Sequence, residues 1–175
     1  MPTDEVQIDH HFIVRSGAMS FQLDNGRIDV TSAIDGAVYT YRRAFIGHDA
    51  AIARGGERML EIKRGLVMRQ AQTELCAADA RLIARAREST SLNVTPVEGM
   101  EFKIEPLDLS RVRGQDSRFL YSDAEIQSEV CGRLEKENWL KASLEVKLAG
   151  RVPKELALFS AWWMWRQWER SIALA

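Results

Sequence analysis

The chain has 175 residues and a formal net charge of −1, and 46% of its residues are apolar while 28% are charged. This composition is typical of a soluble globular protein, and residues 1–175 are expected to form a single domain with a substantial core. The nearly balanced charge argues against a general nucleic-acid binder, which normally carries a strong basic excess.

The N-terminus and the cysteines predict a cytoplasmic protein. The first residues, Met-Pro-Thr-Asp-Glu-Val, contain neither the basic nor the apolar region of a signal peptide. Cys76 and Cys131 are far apart and have no metal or redox spacing. We therefore expect two reduced, partly buried thiols.

The first quarter of the chain is predicted to form β-hairpins. From Ile8 to Val14 apolar and polar residues mostly alternate, as they do in a strand with one buried face. Asp24-Asn25-Gly26 is a strong hairpin signal, because Asn-Gly tolerates the positive φ angles of a type I′ turn. Asp35-Gly36 offers a second turn of that kind. The β-branched and aromatic residues at 37–41 fit the returning strand.

Residues 48–88 fit two structures. Met68, Leu75 and Leu82 belong to a set of apolar residues at helical spacing, whereas Leu60 and Ile62 alternate with charged neighbours as in a half-buried strand. Residues 77–79 would form the turn between strands at 67–76 and 81–87. We favour the strands, and the helix remains the alternative.

The second half of the chain begins with a stretch rich in turn residues. Two prolines and two glycines at 92–114 predict a loop-rich connection with a short strand at 101–104. Residues 126–134 fit either a helix after the capping box formed by Ser122 and Glu125 or a strand, which Gly132 favours. Strict alternation at 140–148 predicts a half-buried strand, paired with 126–134 through a hairpin at 135–138.

Four tryptophans lie within seven residues near the C-terminus, inside a longer apolar stretch. A helix is predicted at about 153–172, because Pro153 suits a first turn and Glu155 complements the helix dipole. Apolar side chains surround its axis, which predicts a helix enclosed by the rest of the chain. The apolar run is too short to span a bilayer, and a helix lying at the membrane interface is the alternative. In that alternative, the interface aromatics are Trp163, Trp165 and Trp168.

Two segments carry a family resemblance: Leu140-Lys-Ala-Ser-Leu-Glu-Val-Lys-Leu-Ala-Gly150, and Glu155-Leu-Ala-Leu-Phe-Ser-Ala-Trp-Trp-Met-Trp165. A final alternating strand, a short Gly/Pro connection and a hydrophobic C-terminal helix, preceded by hairpins, resemble the tubby C-terminal-like fold. That group includes tubby, the phospholipid scramblases and the LURP-one-related proteins. The resemblance implies a closed antiparallel barrel around the terminal helix. No phosphoinositide-binding or calcium-binding motif of the group can be placed here, so it implies no functional residue.

The fold class that we predict is mainly β. Its hairpins would form an antiparallel barrel or a strongly curved sheet, packed around the C-terminal helix. The alternative is an α+β arrangement of the hotdog type, which requires residues 37–55 to be helical.

Basic residues are concentrated between positions 42 and 87, after an acidic first segment of the chain. Most of them are expected to be solvated strand residues. The other interpretation is a basic patch that binds lipid head groups or another anion. Its candidate residues are Arg42, Arg43, Arg58, Lys63 and Arg64.

No motif in the sequence predicts catalysis, a metal site or a cofactor. His10 and His11 are adjacent, so in a strand they point to opposite faces and cannot easily share one metal. His48 and Asp49 could pair as base and carboxylate, but no nucleophile motif accompanies them. The segment at 54–58 lacks the residues of a phosphate-binding loop and is interpreted as a surface connection.

Three functional hypotheses follow. The first is a non-enzymatic binding or structural domain, cytoplasmic or peripheral to the membrane, whose partner is a lipid surface or another protein. The second is a hotdog-type acyl-thioester hydrolase or dehydratase that uses His48 and Asp49. The third is an interaction subunit that docks its Trp-rich tail into a partner.

Overall fold

The computed structural model of the protein describes residues 8–16, 28–43, 50–67, 70–107, 118–138, 141–149 and 151–173. Within this part of the chain there are twelve β-strands and one α-helix. The strands are β1 (Ile8–Ser16), β2 (Ile28–Ser32), β3 (Val38–Arg43), β4 (Ala50–Arg54), β5 (Glu57–Val67), β6 (Gln70–Ala77), β7 (Leu82–Glu88), β8 (Leu92–Pro96), β9 (Phe102–Pro106), β10 (Arg118–Asp123), β11 (Gln127–Asn138) and β12 (Lys141–Ala149). The helix, α1, is Lys154–Ala173.

The strands form a closed barrel in which each pairs with its neighbours in the chain. β1 also pairs antiparallel with β12, with Phe12 opposite Val146 and Val14 opposite Leu144, and this pairing closes the ring. Closure satisfies the backbone groups that an open sheet would leave at its edges. The mainly β, hairpin-built barrel predicted from the sequence is confirmed.

The helix lies in the centre of this barrel. Alternate strand residues point inwards and are buried with the helix in one hydrophobic core, among them Phe12, Tyr41 and Ile62. From Leu156 to Trp165 every helical side chain is buried. The helix predicted at about 153–172 is therefore confirmed, and so is its enclosure by the barrel.

The two ends of the barrel are distinguished by the helix, which begins at one of them. We call the end at which α1 begins the proximal rim. Because the strands run alternately up and down, the connections β2–β3, β4–β5, β6–β7, β8–β9 and β10–β11 all lie at the proximal rim. The opposite end is the distal rim, where residues 89–91 connect β7 to β8.

The described residues between 50 and 88 are strands and not a helix. They form β4, β5, β6 and β7, and residues 78–81 provide the turn between β6 and β7. The α+β alternative of the hotdog type is wrong, because its helix would have to occupy the residues that form β3 and β4. Its candidate catalytic residues, His48 and Asp49, lie outside the described residues, as does the predicted turn at 24–26.

Three local predictions differ from the structure. Of Asp35 and Gly36 only the glycine has a positive φ, so the β2–β3 connection is not a type I′ turn, and Ser32 N donates to Ala37 O across it. Leu92–Pro96 forms a strand within the stretch predicted to be loop-rich. β11 continues to Asn138, which pairs with Lys141, so residues 135–138 belong to the strand rather than to the hairpin turn.

The sequence Arg54-Gly55-Gly56-Glu57 forms the tightest of the described connections. Gly55 and Gly56 have φ angles of 58° and 83°, and Arg54 pairs directly with Glu57 across them. Positive φ at both central residues is the requirement of a type I′ hairpin turn, and glycine meets it without steric cost. The two glycines thus serve the hairpin between β4 and β5.

Candidate functional site

The interior of the barrel is occupied by the helix itself. Trp163 and Trp165 are 0% and 1% exposed, and Phe119 of β10 stands edge-on to Trp163 with 6.2 Å between ring centroids. Phe159 and Trp162 stack at 5.9 Å along the same helix. Trp163 and Trp165 therefore lie in the core, where no partner surface reaches them, and the side chain of Trp168 lies outside the described residues.

Polar contacts fix the start of the helix at the proximal rim. His10 Nε2 lies 2.5 Å from the carbonyl oxygen of Val152, just before the helix begins. Deeper in the barrel the buried hydroxyl of Tyr41 donates to the carbonyl oxygen of Leu158. Arg151 forms an ion pair with Glu125 of the β10–β11 connection. Each of these contacts joins the helical segment to a different strand or connection, so their role is to hold the helix in register.

Lys154, the first helical residue, is held by a separate group of side chains. Its ammonium lies 5.2 Å from the ring centroid of Tyr39 and 3.5 Å from the carboxylate of Asp35. The Tyr39 hydroxyl in the first place, and then the Asp35 carboxylate, raise the pKa of Lys154 despite its partial burial. The guanidinium of Arg54 lies 5.9 Å from the same Tyr39 ring. Tyr39 is thus contacted by two cations at the proximal rim.

Asp123 organises the β10–β11 connection. Burial by itself raises the pKa of Asp123. The carboxylate, however, accepts hydrogen bonds from the backbone N–H of Ile126, the Tyr121 hydroxyl and the backbone N–H of Glu125. These hydrogen bonds lower the pKa by more than burial raises it, so it lies below its usual value. The Tyr121 hydroxyl donates over 2.7 Å. Burial, followed by this bond, raises the pKa of Tyr121. The carboxylate acts as a turn-stabilising acceptor and the phenol stays protonated.

The adjacent histidines face different partners, as predicted. His10 contacts the Val152 carbonyl and stacks on Phe12 with 6.0 Å between centroids, whereas His11 Nε2 lies 2.7 Å from Glu145 Oε1 on β12. Among the described residues there is no group of three or more His, Cys, Asp or Glu side chains that could hold a metal ion.

The candidate basic residues are distributed over two strands. Arg42 lies on β3, and Arg58 and Lys63 lie on β5; all three side chains are exposed on the outside of the barrel. Arg43 and Arg64 belong to the same two strands, with Ala50 and Thr73 as their respective Cα partners, and their side chains lie outside the described residues. The structure therefore brings the described members of this set to one side of the molecule.

Two further cations on β7 extend this surface. Arg85 and Arg87 alternate with the buried Ala84 and Ala86, so both guanidinium groups point outwards. Both belong to the basic stretch at 42–87 but not to the candidate set predicted from the sequence, although the alternation of arginine and alanine is typical of a half-buried strand. We call the outward side chains of β3, β5 and β7 the basic wall: Arg42, Arg58, Lys63, Arg85 and Arg87.

The charge of the basic wall is only partly neutralised. Glu74 of β6 lies 3.5 Å from Arg85 and is the Cα partner of Lys63. Glu61 is the other carboxylate on these outward faces. Arg42, Arg58, Lys63 and Arg87 form no ion pair within the described part of the chain. The basic wall therefore carries excess positive charge, available to an external anion.

On the opposite side of the barrel, the described side chains include pairs of opposite charge. On β9 Lys103 pairs with Glu105 at 3.0 Å, and on β12 Lys147 lies 3.5 Å from Glu145. Opposite charges in contact cancel most of each other's field at a distance. Among the side chains that the structure describes, most of the exposed strand cations outside any ion pair therefore lie on β3 to β7, with Arg15 of β1 as an exception.

No family model, curated protein or solved structure matches the chain. Across the described residues, no helix is both long enough and apolar enough to cross a membrane.

Proposed function

We propose that this protein is a non-enzymatic binding domain that attaches to anionic membrane surfaces through its basic wall, on the cytoplasmic side. The observation that carries the proposal is the group of exposed, unpaired cations on β3, β5 and β7. A barrel filled by its own helix directs binding to the outside, where these cations lie.

The expected strength of this attachment follows from the number of cations. Each Lys or Arg close to an anionic bilayer contributes about 1 kcal/mol. Arg42, Arg58, Lys63 and Arg87 together would contribute about 4 kcal/mol by that measure, and Glu61 and Glu74 reduce it. Such attachment is weak, reversible and sensitive to salt.

The proposal includes the fold that the family resemblance implies. A closed antiparallel barrel around a hydrophobic C-terminal helix is the architecture that the tubby C-terminal-like fold implies, and we propose that the chain shares that fold. The unusual feature is the interior, where indole rings fill the space that aliphatic side chains usually occupy in that group. The tail-docking hypothesis has less support, because Trp162, Trp163 and Trp165 are enclosed.

Co-sedimentation with vesicles tests the proposal. Wild-type protein is expected to sediment with vesicles that contain phosphatidylserine and to stay in solution with pure phosphatidylcholine vesicles. Replacing Arg42→Gln and Lys63→Gln together should weaken binding roughly 30-fold, which corresponds to about 2 kcal/mol for two removed cations.

The matched control is Arg15→Gln with Lys147→Gln, which removes two cations from β1 and β12 outside the basic wall. It should bind like wild type. An equal loss of vesicle binding in both double variants would show that binding depends only on net charge, which would contradict a localised site. No binding to anionic vesicles at all would leave an acidic protein as the partner of the basic wall and overturn the lipid proposal.

A further inference from the structure

The β8–β9 connection is an exposed apolar tip at the proximal rim. Val97 is 62% exposed and Met100 is 42% exposed, although both are large apolar side chains. Between them Gly99 has a φ of +114°, and no heavy atom lies within 4 Å of the position its Cβ would occupy. Residues 97–101, which we call the tip, therefore present two apolar side chains to solvent, a feature typical of contact sites.

The charges around these side chains are mainly acidic, although the β6–β7 connection also carries the exposed Arg81. Glu98 and Glu101 lie within the tip, and Asp79 lies on the neighbouring β6–β7 connection; all three are exposed. Within the described part of the chain none of the three forms an ion pair. A partner for the tip must therefore combine a small apolar surface with positive charge.

The molecule carries such a surface on its own basic wall. The outward residues of β4 are Ala51 and Ala53, both half-buried, so the outward face of this strand before the exposed Arg54 presents only methyl groups. Arg42 flanks it on β3, where it is next to Arg43 and pairs with Ala51. On β5 the direct partners of Ala51 and Ala53 are Glu61 and Arg58, and Lys63 lies two residues beyond Glu61 on the same face. The outward face of β4 is thus a narrow apolar strip with unpaired cations on both sides and one carboxylate, Glu61, beside it.

We propose that the tip of one molecule docks on the basic wall of a second copy, with Val97 and Met100 over β4 and Glu98 and Glu101 beside Arg42 and Lys63. The contact joins two different surfaces, so repeating it produces open chains rather than a closed dimer. A tip of five residues covers less than the roughly 1,000 Å² of a stable interface. The association is accordingly weak, reversible and weakened by salt.

Sedimentation velocity without lipid tests this self-association. The weight-average sedimentation coefficient of the wild type should rise between about 10 μM and about 500 μM protein at low ionic strength, and the rise should disappear at about 0.5 M salt. A coefficient that stays constant over the whole concentration range overturns the proposal.

Charge reversal identifies the two surfaces. The tip variant Glu98→Lys with Glu101→Lys and the wall variant Arg42→Glu with Lys63→Glu should each associate at least about tenfold more weakly than wild type, because like charges then meet. Mixing the two variants should restore association, since a basic tip then meets an acidic wall and an acidic tip meets a basic wall. The control Arg15→Glu with Lys147→Glu should associate like wild type.

Failure of the mixture to recover association contradicts the tip-to-wall geometry even if the single variants are weakened. This proposal goes beyond membrane attachment and can fail separately from it. A protein that does not self-associate but still sediments with anionic vesicles would contradict only the proposal that two copies dock. Self-association in a protein that does not sediment with anionic vesicles would contradict only the proposal of lipid binding.

Discussion

Trp163 is one of the two largest side chains that the barrel encloses completely, and its indole N–H has no hydrogen-bond partner among the described residues. Its contribution to stability therefore comes from packing, including the edge-on contact with Phe119. Trp163→Ala should lower the free energy of unfolding by about 3–5 kcal/mol, the range for an aromatic residue removed from a core. Urea unfolding followed by far-UV circular dichroism measures the loss.

Trp163→Phe is the matched variant, because it keeps an aromatic ring and removes the indole N–H. It should cost clearly less than the alanine variant, since no hydrogen bond is lost and the remaining cavity is small. Equal losses in the two variants would contradict this account, because they would show that the indole N–H matters more than the volume of the ring.

The lowered pKa of Glu145 predicts that the stability of the protein depends on pH. Burial raises the pKa of this carboxyl, but the hydrogen bond with His11 and the charge of Lys147 outweigh it, so the pKa lies below its ordinary value of 4.5. A carboxyl with a lowered folded-state pKa stabilises the protein above its unfolded-state pKa, and this stabilisation is lost as the pH falls through the folded-state value. Glu145→Gln should therefore reduce stability at pH 7 and make no difference at a pH of about 3.

The size of this effect is limited by exposure. The side chain of Glu145 is 36% exposed, so solvent screens its contacts and the expected loss at pH 7 is about 0.2–1 kcal/mol. Unfolding curves of both proteins at the two pH values provide the measurement. Glu101→Gln, an exposed carboxylate outside any described ion pair, is the control and should change neither curve. A difference between Glu145→Gln and wild type that persists in acid would contradict the assignment.

At the scale of elements, the sequence predicts a strand where alternation is strict and unbroken. β12 and the segment around Leu60 and Ile62 show this pattern, and both are strands in the barrel. β8 was missed because it has only five residues and ends at a proline, so Leu92 and Val94 gave too few alternations to outweigh the turn residues around them. β7 was favoured as a strand through the turn at 77–79, but nothing in its local pattern showed which arginines share a surface.

Local sequence patterns do not specify the register between elements that are distant in the chain. The pairing of β1 with β12 joins residues at opposite ends of the chain, and no signal within either strand specifies the other. The same holds for the contact between the Tyr41 hydroxyl and the Leu158 carbonyl oxygen, which fixes the helix against β3. The basic wall was accordingly predictable in part: its residues on β3 and β5 stood out by charge, whereas its extension to β7 follows only from the order of strands in the barrel.

On the scale of the whole molecule, the helix and the barrel depend on each other. The inward faces of the strands meet at α1, and without it residues such as Phe12, Ile62 and Val146 would line an empty space. Each large apolar side chain of the helix contributes about 1.5–3 kcal/mol when it is buried. Leu156, Leu158, Phe159, Trp163 and Trp165 together therefore account for about as much as the 5–15 kcal/mol by which a typical domain is stable.

A chain that ends at Val152 should consequently fail to fold, even though it retains every strand. We expect it to show no cooperative transition in thermal or urea unfolding and to aggregate, because the inward faces of the strands become exposed apolar surface. A chain that ends at Ala173 is the control and should unfold like the full-length protein, since the described helix is intact. A soluble monomer ending at Val152 that melts cooperatively would show that the barrel is stable by itself. The helix would then be an occupant of the barrel rather than its core.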